Sequence, residues 1–263
     1  MSVVGRVESL WRYPVKSMRG EELREAFIAF SGVFGDRLYA FMNSGAPRGF
    51  PYLTGRELEQ MLLCRPRFRH AAKAAKPVNL ADAEKIAPGL TPLYPGPADL
   101  VVDVQTPSGA VLAIDDPALT SLLREAFPDH PALELLRSDR AMTDCRPISL
   151  ISNGTVLQLG KEIGVAMDKR RFRANIYVDS QSGYGFSEDS LVGRQVKIGP
   201  KAVIAVLERD PRCKMITLDP DTAAANSQVL RQVVQVHDGK AGVYGAVLVE
   251  GVVRTDDEIV LLT

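Results

Sequence analysis

With 263 residues, 46% of them hydrophobic, the chain can hold one large or two modest globular domains with well-filled cores. Lys plus Arg equals Asp plus Glu at 32 each, so no global field draws the chain to nucleic acid or to a membrane surface, and any anion site has to come from local clustering. Three widely separated cysteines, Cys64, Cys145 and Cys213, form no C-x-x-C pair, which argues against a zinc site, an iron–sulfur cluster or a disulfide framework; with no apolar leader and no stretch approaching a membrane span, the sequence predicts a cytoplasmic protein.

Residues 3–10 predict a first strand that ends at Trp11-Arg12-Tyr13-Pro14, where the proline biases Tyr13 toward extended geometry and starts a turn. Lys16 and Ser17 follow at the loop tip. Two further strands, 22–30 and 37–43, are joined through the glycines of 31–35, and Arg37 opens the second. Thr54-Gly55-Arg56-Glu57 has capping-box spacing ahead of Leu58, Met61 and Leu62, the apolar stripe of a short helix. Residues 76–97, rich in Pro, Ala and Gly, predict a loop. Strands follow at 100–104 and 110–114, then a helix capped by Asp116 with Pro117 in its first turn and Pro128 and Pro131 to stop it, then a strand at 133–136.

The polar connection 137–146 reads as a domain boundary and carries Asp144, which by itself reads first as a turn former and second as a candidate acid/base or water-positioning group. The predicted domains are a β-rich unit over 1–138 and a second over 139–263, with N-terminal strands able to complete a shared site. In the second unit, Ser152 caps a helix carrying Val156, Leu157 and Ile163, and Asn226 caps another carrying Val229, Leu230, Val233 and Val234. Strands are predicted at 196–198, 203–207, 243–249, 252–254 and 259–262, the 203–207 strand buried; residues 183–189 form a Gly-rich, acidic loop. The class is mainly β with several helices, α+β.

Two pieces carry the chemistry. In 168–179 the alternation predicts a strand with Phe172, Ala174, Ile176 and Val178 facing the core, and Arg171, Arg173, Asn175 and Tyr177 on an opposite, anion-binding face, while Lys169 and Arg170 stay solvated at its entrance. In 210–222, Cys213 stands between Arg212 and Lys214, the setting in which sulfur binds soft metals or attacks electrophiles. By their chemistry, Lys16, Ser17, Arg37, Arg173 and Arg212 suit a phosphate, Asn175 a hydrogen-bonding heterocycle edge, and Cys213 a soft metal.

Arg-Phe-Arg-Ala-Asn at 171–175, with Pro-Arg-Cys at 211–213 and Asp-Pro-Asp-Thr at 219–222, resembles the MOSC domain, named for the C-terminal domain of molybdenum-cofactor sulfurase. Tyr-Pro-Val-Lys-Ser at 13–17 and Gly-Asp-Arg at 35–37 resemble the N-terminal β-barrel domain that precedes it in bacterial MOSC proteins and in the mitochondrial amidoxime-reducing component. Ala174, Leu191 and Ala223 stand where the family often has Pro, Trp and Gly, none of them a charged or sulfur ligand. The resemblance implies a MOSC-type β-barrel and convergence of the distant pieces on one molybdenum cofactor, molybdopterin with molybdenum. In it, Lys16, Ser17, Arg37, Arg173 and Arg212 hold the phosphate, Asn175 meets the pterin, Cys213 ligates the metal and Asp144 lies near it.

The resemblance further implies two-electron reduction of a small N-hydroxylated or N-oxygenated compound. The sequence carries no iron–sulfur, flavin or haem motif, so the electrons are expected from a separate donor protein. A non-catalytic carrier of the cofactor, or of sulfur as a persulfide on Cys213, is the alternative. A polyanion module built on 169–173 is weaker, because the run shares its segment with an apolar face and aromatic interleaving is limited to Phe172 and Tyr177.

Overall fold

The computed structural model describes residues 2–46, 49–85, 93, 95–127 and 132–262. Its centre is a closed barrel of seven strands: β1 (Ser2–Arg12), β2 (Ile148–Ser152), β3 (Ile176–Ser180), β4 (Gln195–Ile198), β5 (Ala202–Pro211), β6 (Lys240–Val249) and β7 (Glu258–Leu262). They run in the order β3-β2-β6-β5-β4-β7-β1, and β1 closes the ring on β3. All pairs are antiparallel except β2 with β3, where Leu150 faces Ile176. β1 is therefore a staple from the start of the chain, matching Leu10 to Ile176 on one edge and Val3 to Val260 on the other. The barrel is filled by the inward rows of these strands, among them Val7, Leu10, Ile176, Ile204, Val206 and Val243. The 203–207 strand is longer than predicted and one-sided: Ile204 and Val206 are buried, whereas Leu207 is 41% exposed.

Two helices lie on the outside. Ser152 caps α1 (Asn153–Ile163), its hydroxyl accepting from the Thr155 amide, and Asn226 caps α2 (Ser227–Val236), its side chain accepting from the Gln228 amide. They pack against Trp11, Tyr13, Phe172 and Tyr177 through Val156, Leu159, Val229 and Val233. Val234, predicted on the apolar side of α2, is 54% exposed.

The remaining N-terminal residues build a second core around Phe41, Leu53, Met61, Val102 and Leu119. Tyr39–Asn43 pairs with Leu133–Arg137, and Arg65–Phe68, Val102–Gln105 and Val111–Ala113 form a meander. The predicted 22–30 strand is two strands: Glu21–Leu23 extends the barrel sheet beside β1, and Glu25–Ala29 pairs with Gly251–Arg254 from the C-terminal half. The Thr54 capping box closes, with the Thr54 amide donating to Glu57 at 3.0 Å, but it leads into a 3-10 turn at Glu59–Leu63 whose Met61 and Leu62 are core. Asp116 caps Pro117–Glu125; the prolines predicted to stop that helix lie outside the described residues. The 76–97 stretch holds a short helix, Leu80–Lys85, and its residues 86–92 and 94 also lie outside them. No helix among the described residues is long and apolar enough to cross a membrane.

Candidate functional site

One end of the barrel opens into a narrow cleft of about 80 Å³, walled on its far side by the N-terminal core. Lys16, Ser17, Arg37, Asp144, Arg173, Asn175, Arg212 and Cys213 all line it. Residues separated by up to two hundred positions are thus brought together because β1 delivers the first loop to the same barrel end that β2, β3 and β5 serve.

The loop after β1 is laced to the Gly35-Asp36-Arg37 turn. The Tyr13 amide donates to Asp36 Oδ1 at 2.7 Å, and the Arg37 amide donates back to the Tyr13 carbonyl at 2.7 Å. Asp36 is 2% exposed, and its second oxygen takes the Arg37 guanidinium and, at 3.2 Å, Asn175 Nδ2. Ser17, Arg37 and Arg173 all hold left-handed backbone, at φ 66°, 45° and 52°. Such geometry costs free energy in a non-glycine residue and persists where the surrounding bonds over-determine it.

The segment predicted as a charged strand starts differently. The Asp168 carboxylate accepts from the Arg170 amide at 2.8 Å and winds Lys169–Phe172 into a 3-10 turn, which Arg173 ends. The strand begins only at Ile176, so Tyr177 is fully buried among the outer helices instead of facing the cleft. Lys169 and Arg170 are not free solvated charges: Lys169 binds Glu8 and Ser9, and Arg170 pairs with Asp168 and Asp221.

The arginines differ in how they are held. Arg173 and Arg37 both lie over the Tyr13 ring, 4.4 and 4.6 Å from its centre. Burial raises the Tyr13 pKa and the two guanidinia only partly offset it, which keeps the ring a neutral platform. Arg37 also donates to the Arg173 carbonyl at 3.2 Å. The Arg173 side chain has no hydrogen bond and no carboxylate among the described residues; burial and the neighbouring Arg37 depress its pKa, although Tyr13 and the Asp36 charge oppose them. Arg212, by contrast, is held by the protein, although its Nη2 meets Asp210 as an ion pair and has no aligned hydrogen bond among the described residues. Its Nε donates to the Ala241 carbonyl at 2.7 Å, one terminal nitrogen donates to the Phe172 carbonyl at 2.8 Å, and the other lies 2.8 Å from Asp210.

Asp210 is 1% exposed, accepts from Ser149 Oγ at 2.8 Å, and has a raised pKa because burial outweighs the pull of Arg212. Asn175 is committed as well. Its carbonyl accepts from the Ser149 amide at 3.2 Å while its amide group donates to the Trp11 carbonyl and to Asp36, tying β1, β2 and the Asp36 turn together. Lys16 is buried between the Phe50 and Tyr52 rings, 5.0 and 4.8 Å away, donates to the Met142 carbonyl at 2.8 Å and ion-pairs with Asp144. Burial would raise the Asp144 pKa, but Lys16 reverses it and the carboxyl sits below its ordinary value. The Asp144 side chain remains 46% exposed to the cleft.

Cys213 stands at the start of a 3-10 turn, Lys214–Thr217, partly exposed in the cleft. Its sequence neighbours point away: Arg212 is held by Asp210, and Lys214 reaches Glu59 and the Arg56 carbonyl. No group of three or more His, Cys, Asp or Glu among the described residues is arranged to hold a metal ion. A metal in this cleft has one thiol, Cys213, among the described lining residues, and must bring other ligands with it.

Sequence reading overlooked Tyr13, Asp36, Ser149 and Asp210. Asp36 and Tyr13 stood inside the motifs already quoted, and Asp210 was read only as a turn before Pro211; the available signal was the adjacency of an acid to each arginine, at Asp36-Arg37 and at Asp210-Pro211-Arg212.

Residues 4–91 match the MOSC N-terminal beta barrel domain and residues 137–260 the MOSC domain. Among solved structures, the YuaD protein of Bacillus subtilis is 14% identical with a TM-score of 0.47, over 97% of this chain and 94% of that one. YiiM of Geobacillus stearothermophilus is 19% identical with a TM-score of 0.33, and YiiM of Escherichia coli 16% with 0.34; each match covers 45% of this chain and 55% of the other. No curated protein matches the chain. With its first third matching the MOSC N-terminal beta barrel domain and its C-terminal half the MOSC domain, the chain belongs to the MOSC family.

Proposed function

We propose that the cleft binds the molybdenum cofactor and that the protein reduces N-hydroxylated or N-oxygenated small molecules with electrons from a separate donor protein. The observation that carries the reading is the pairing, in one cleft, of a guanidinium with no ion pair among the described residues, Arg173, and a partly exposed thiol, Cys213. The donor set fits the group. A cofactor that brings its own two sulfurs to the metal needs only one more soft ligand from the protein, and its phosphate needs a cation that is not already neutralised. Bound there, the cofactor would supply the two-electron redox chemistry that reduction of an N–O group requires.

The chain's own residues do the rest. Arg173, held flat by Tyr13, takes the phosphate; Ser17 and Arg37 border the same wall. Arg212 and Asn175 build the floor from behind, fixing the Phe172–Asn175 backbone, and do not contact the ligand through their committed nitrogens. Asp144 stays ionised through Lys16 and is placed to orient the substrate's N–O group or a water at the cleft mouth.

The test is purification from a host that makes the cofactor, followed by molybdenum and pterin analysis and an assay of N-hydroxylated amidines with an artificial reductant. The expected result is roughly one molybdenum and one pterin per chain, with reductase turnover. No pterin in the isolated protein and none taken up by the apoprotein would overturn cofactor binding; stoichiometric cofactor without turnover would leave the carrier reading.

A further inference from the structure

The barrel has a second mouth, remote from Cys213. β1 enters at Val3 and Val4 and exits near Tyr13; β2 presents Ser149 to the cleft and Ser152 to the other end; β3 starts beside Asn175 and finishes at Ser180. The far end surrounds a second cavity of about 460 Å³, open to solvent, with aliphatic walls from Val4, Leu150, Val178, Leu191 and Ile259. Tyr184 and Phe186 border it from the 183–189 loop, and Tyr184 is 77% exposed between two glycines, Gly183 at φ 66° and Gly185.

The charge pattern of this cavity is one-sided. Glu188 is its single charged lining residue among those described, and it is 3% exposed. Its carboxylate accepts from the Ser152 amide at 3.2 Å and from the Thr155 hydroxyl at 2.7 and 2.9 Å, at the first turn of α1, whose amide dipoles offset part of the charge. No Lys, Arg or His among the described residues pairs with it; Arg209, bonded to Asp189 and Asp238, is spent on the neighbouring acids. The adjacent Ser187 hydroxyl is buried without a hydrogen-bond partner among the described residues. A buried carboxylate without a cation and a buried hydroxyl without a partner are both costly, and a ligand that donates to them relieves both.

We infer that the second mouth binds a small protonated amine with an apolar body, its ammonium group directed at Glu188 and Ser187 and its body against the aliphatic wall and the two aromatic rings. A cation gains from a carboxylate and from aromatic faces alike, whereas an anion is repelled by Glu188. The site is chemically the reverse of the Arg173 cleft, and the inference does not rest on what that cleft holds.

The experiment is calorimetric titration of the full chain as purified with three probes of one shape: 2-phenylethylamine, 2-phenylethanol and phenylacetate at neutral pH. Saturation-transfer NMR checks contact with the aromatic ring. The expected order is ammonium over alcohol by about tenfold, with phenylacetate weakest. Ser182→Trp, at the exposed rim, is expected to abolish binding, and Glu188→Gln to bring amine and alcohol to equal affinity. Equal affinities in the wild type, no binding of the amine, or indifference to Ser182→Trp would each overturn the inference. Because Glu188 also caps α1, a Glu188→Gln chain that does not fold leaves the decision to the wild-type ratio and to Ser182→Trp.

Discussion

The guanidinium of Arg173 lies 4.4 Å from the centre of the Tyr13 ring and meets no carboxylate among the described residues, although its neighbour Arg37 is paired with Asp36. A cation left in this state is poised for an anion from outside, and its removal subtracts binding without breaking a bond that holds the fold. Arg173→Ala is expected to weaken cofactor retention by about tenfold to a hundredfold, the worth of one charge-assisted hydrogen bond, while Tm moves little. Pterin content and Tm measured on the same preparation check it; unfolding of the variant would recast Arg173 as structural.

Arg212→Ala is expected to behave in the opposite way. It strips three contacts from the end of β5 and leaves Asp210, 1% exposed, without its cation. Breaking a buried pair from one side costs about 3–5 kcal/mol, so chemical denaturation should show a lower midpoint even in cofactor-free protein. A midpoint within about 0.5 kcal/mol of wild type would contradict this account.

Cys213→Ser should leave stability nearly unchanged, since the side chain is partly exposed and fills no core. The expected change is in the ratio of molybdenum to pterin and in the metal's spectrum, because a hydroxyl is a harder donor than sulfur. An unaltered spectrum with full activity would remove Cys213 from the metal's ligands.

Arg170→Ala should cost about 1 kcal/mol or less and leave cofactor content alone. Its pairs with Asp168 and Asp221 are about one-third to one-half exposed, and screening keeps such pairs weak. The loss should shrink further in high salt.

Acid should expose the Lys16–Asp144 pair. The folded-state pKa of Asp144 lies below its ordinary 3.8, so the pair's contribution is present above that value and is lost as pH falls through the lowered one. Asp144→Asn should therefore be less stable than wild type at neutral pH, by about 1 kcal/mol given the half-exposed carboxylate, with the difference closing below pH 3.8. Asp210, whose pKa is raised, acts in the other direction: its contribution is fully present below the ordinary 3.8 and is lost as pH rises through the raised value. Denaturation midpoints of wild type and Asp144→Asn across about pH 3 to 7 isolate the Asp144 contribution, because Asp210 titrates in both proteins.

What could be read from the residues alone was local or chemical. Asp116, Ser152 and Asn226 cap helices because each side chain needs only an amide two or three positions ahead, a bond the chain makes wherever the helix lies. The inventory of cations, an amide and a thiol was equally visible, since it follows from residue type. Tertiary structure decided which of them remain available. Arg173 and Arg212 read alike in sequence, each a cation suited to a phosphate, but the groups that occupy Arg212 include carbonyls 29 and 40 positions away, whereas Arg173 found an aromatic face 160 positions away. The alternation over 171–177 pointed to a strand, yet the Asp168 carboxylate capped a turn first and shifted the register, sending Tyr177 into the core. The second mouth of the barrel left no mark in the sequence at all, because Glu188 lacks an ion pair among the described residues only through where β2, β3 and α1 place it, and a linear pattern does not specify which charges fold beside a cation.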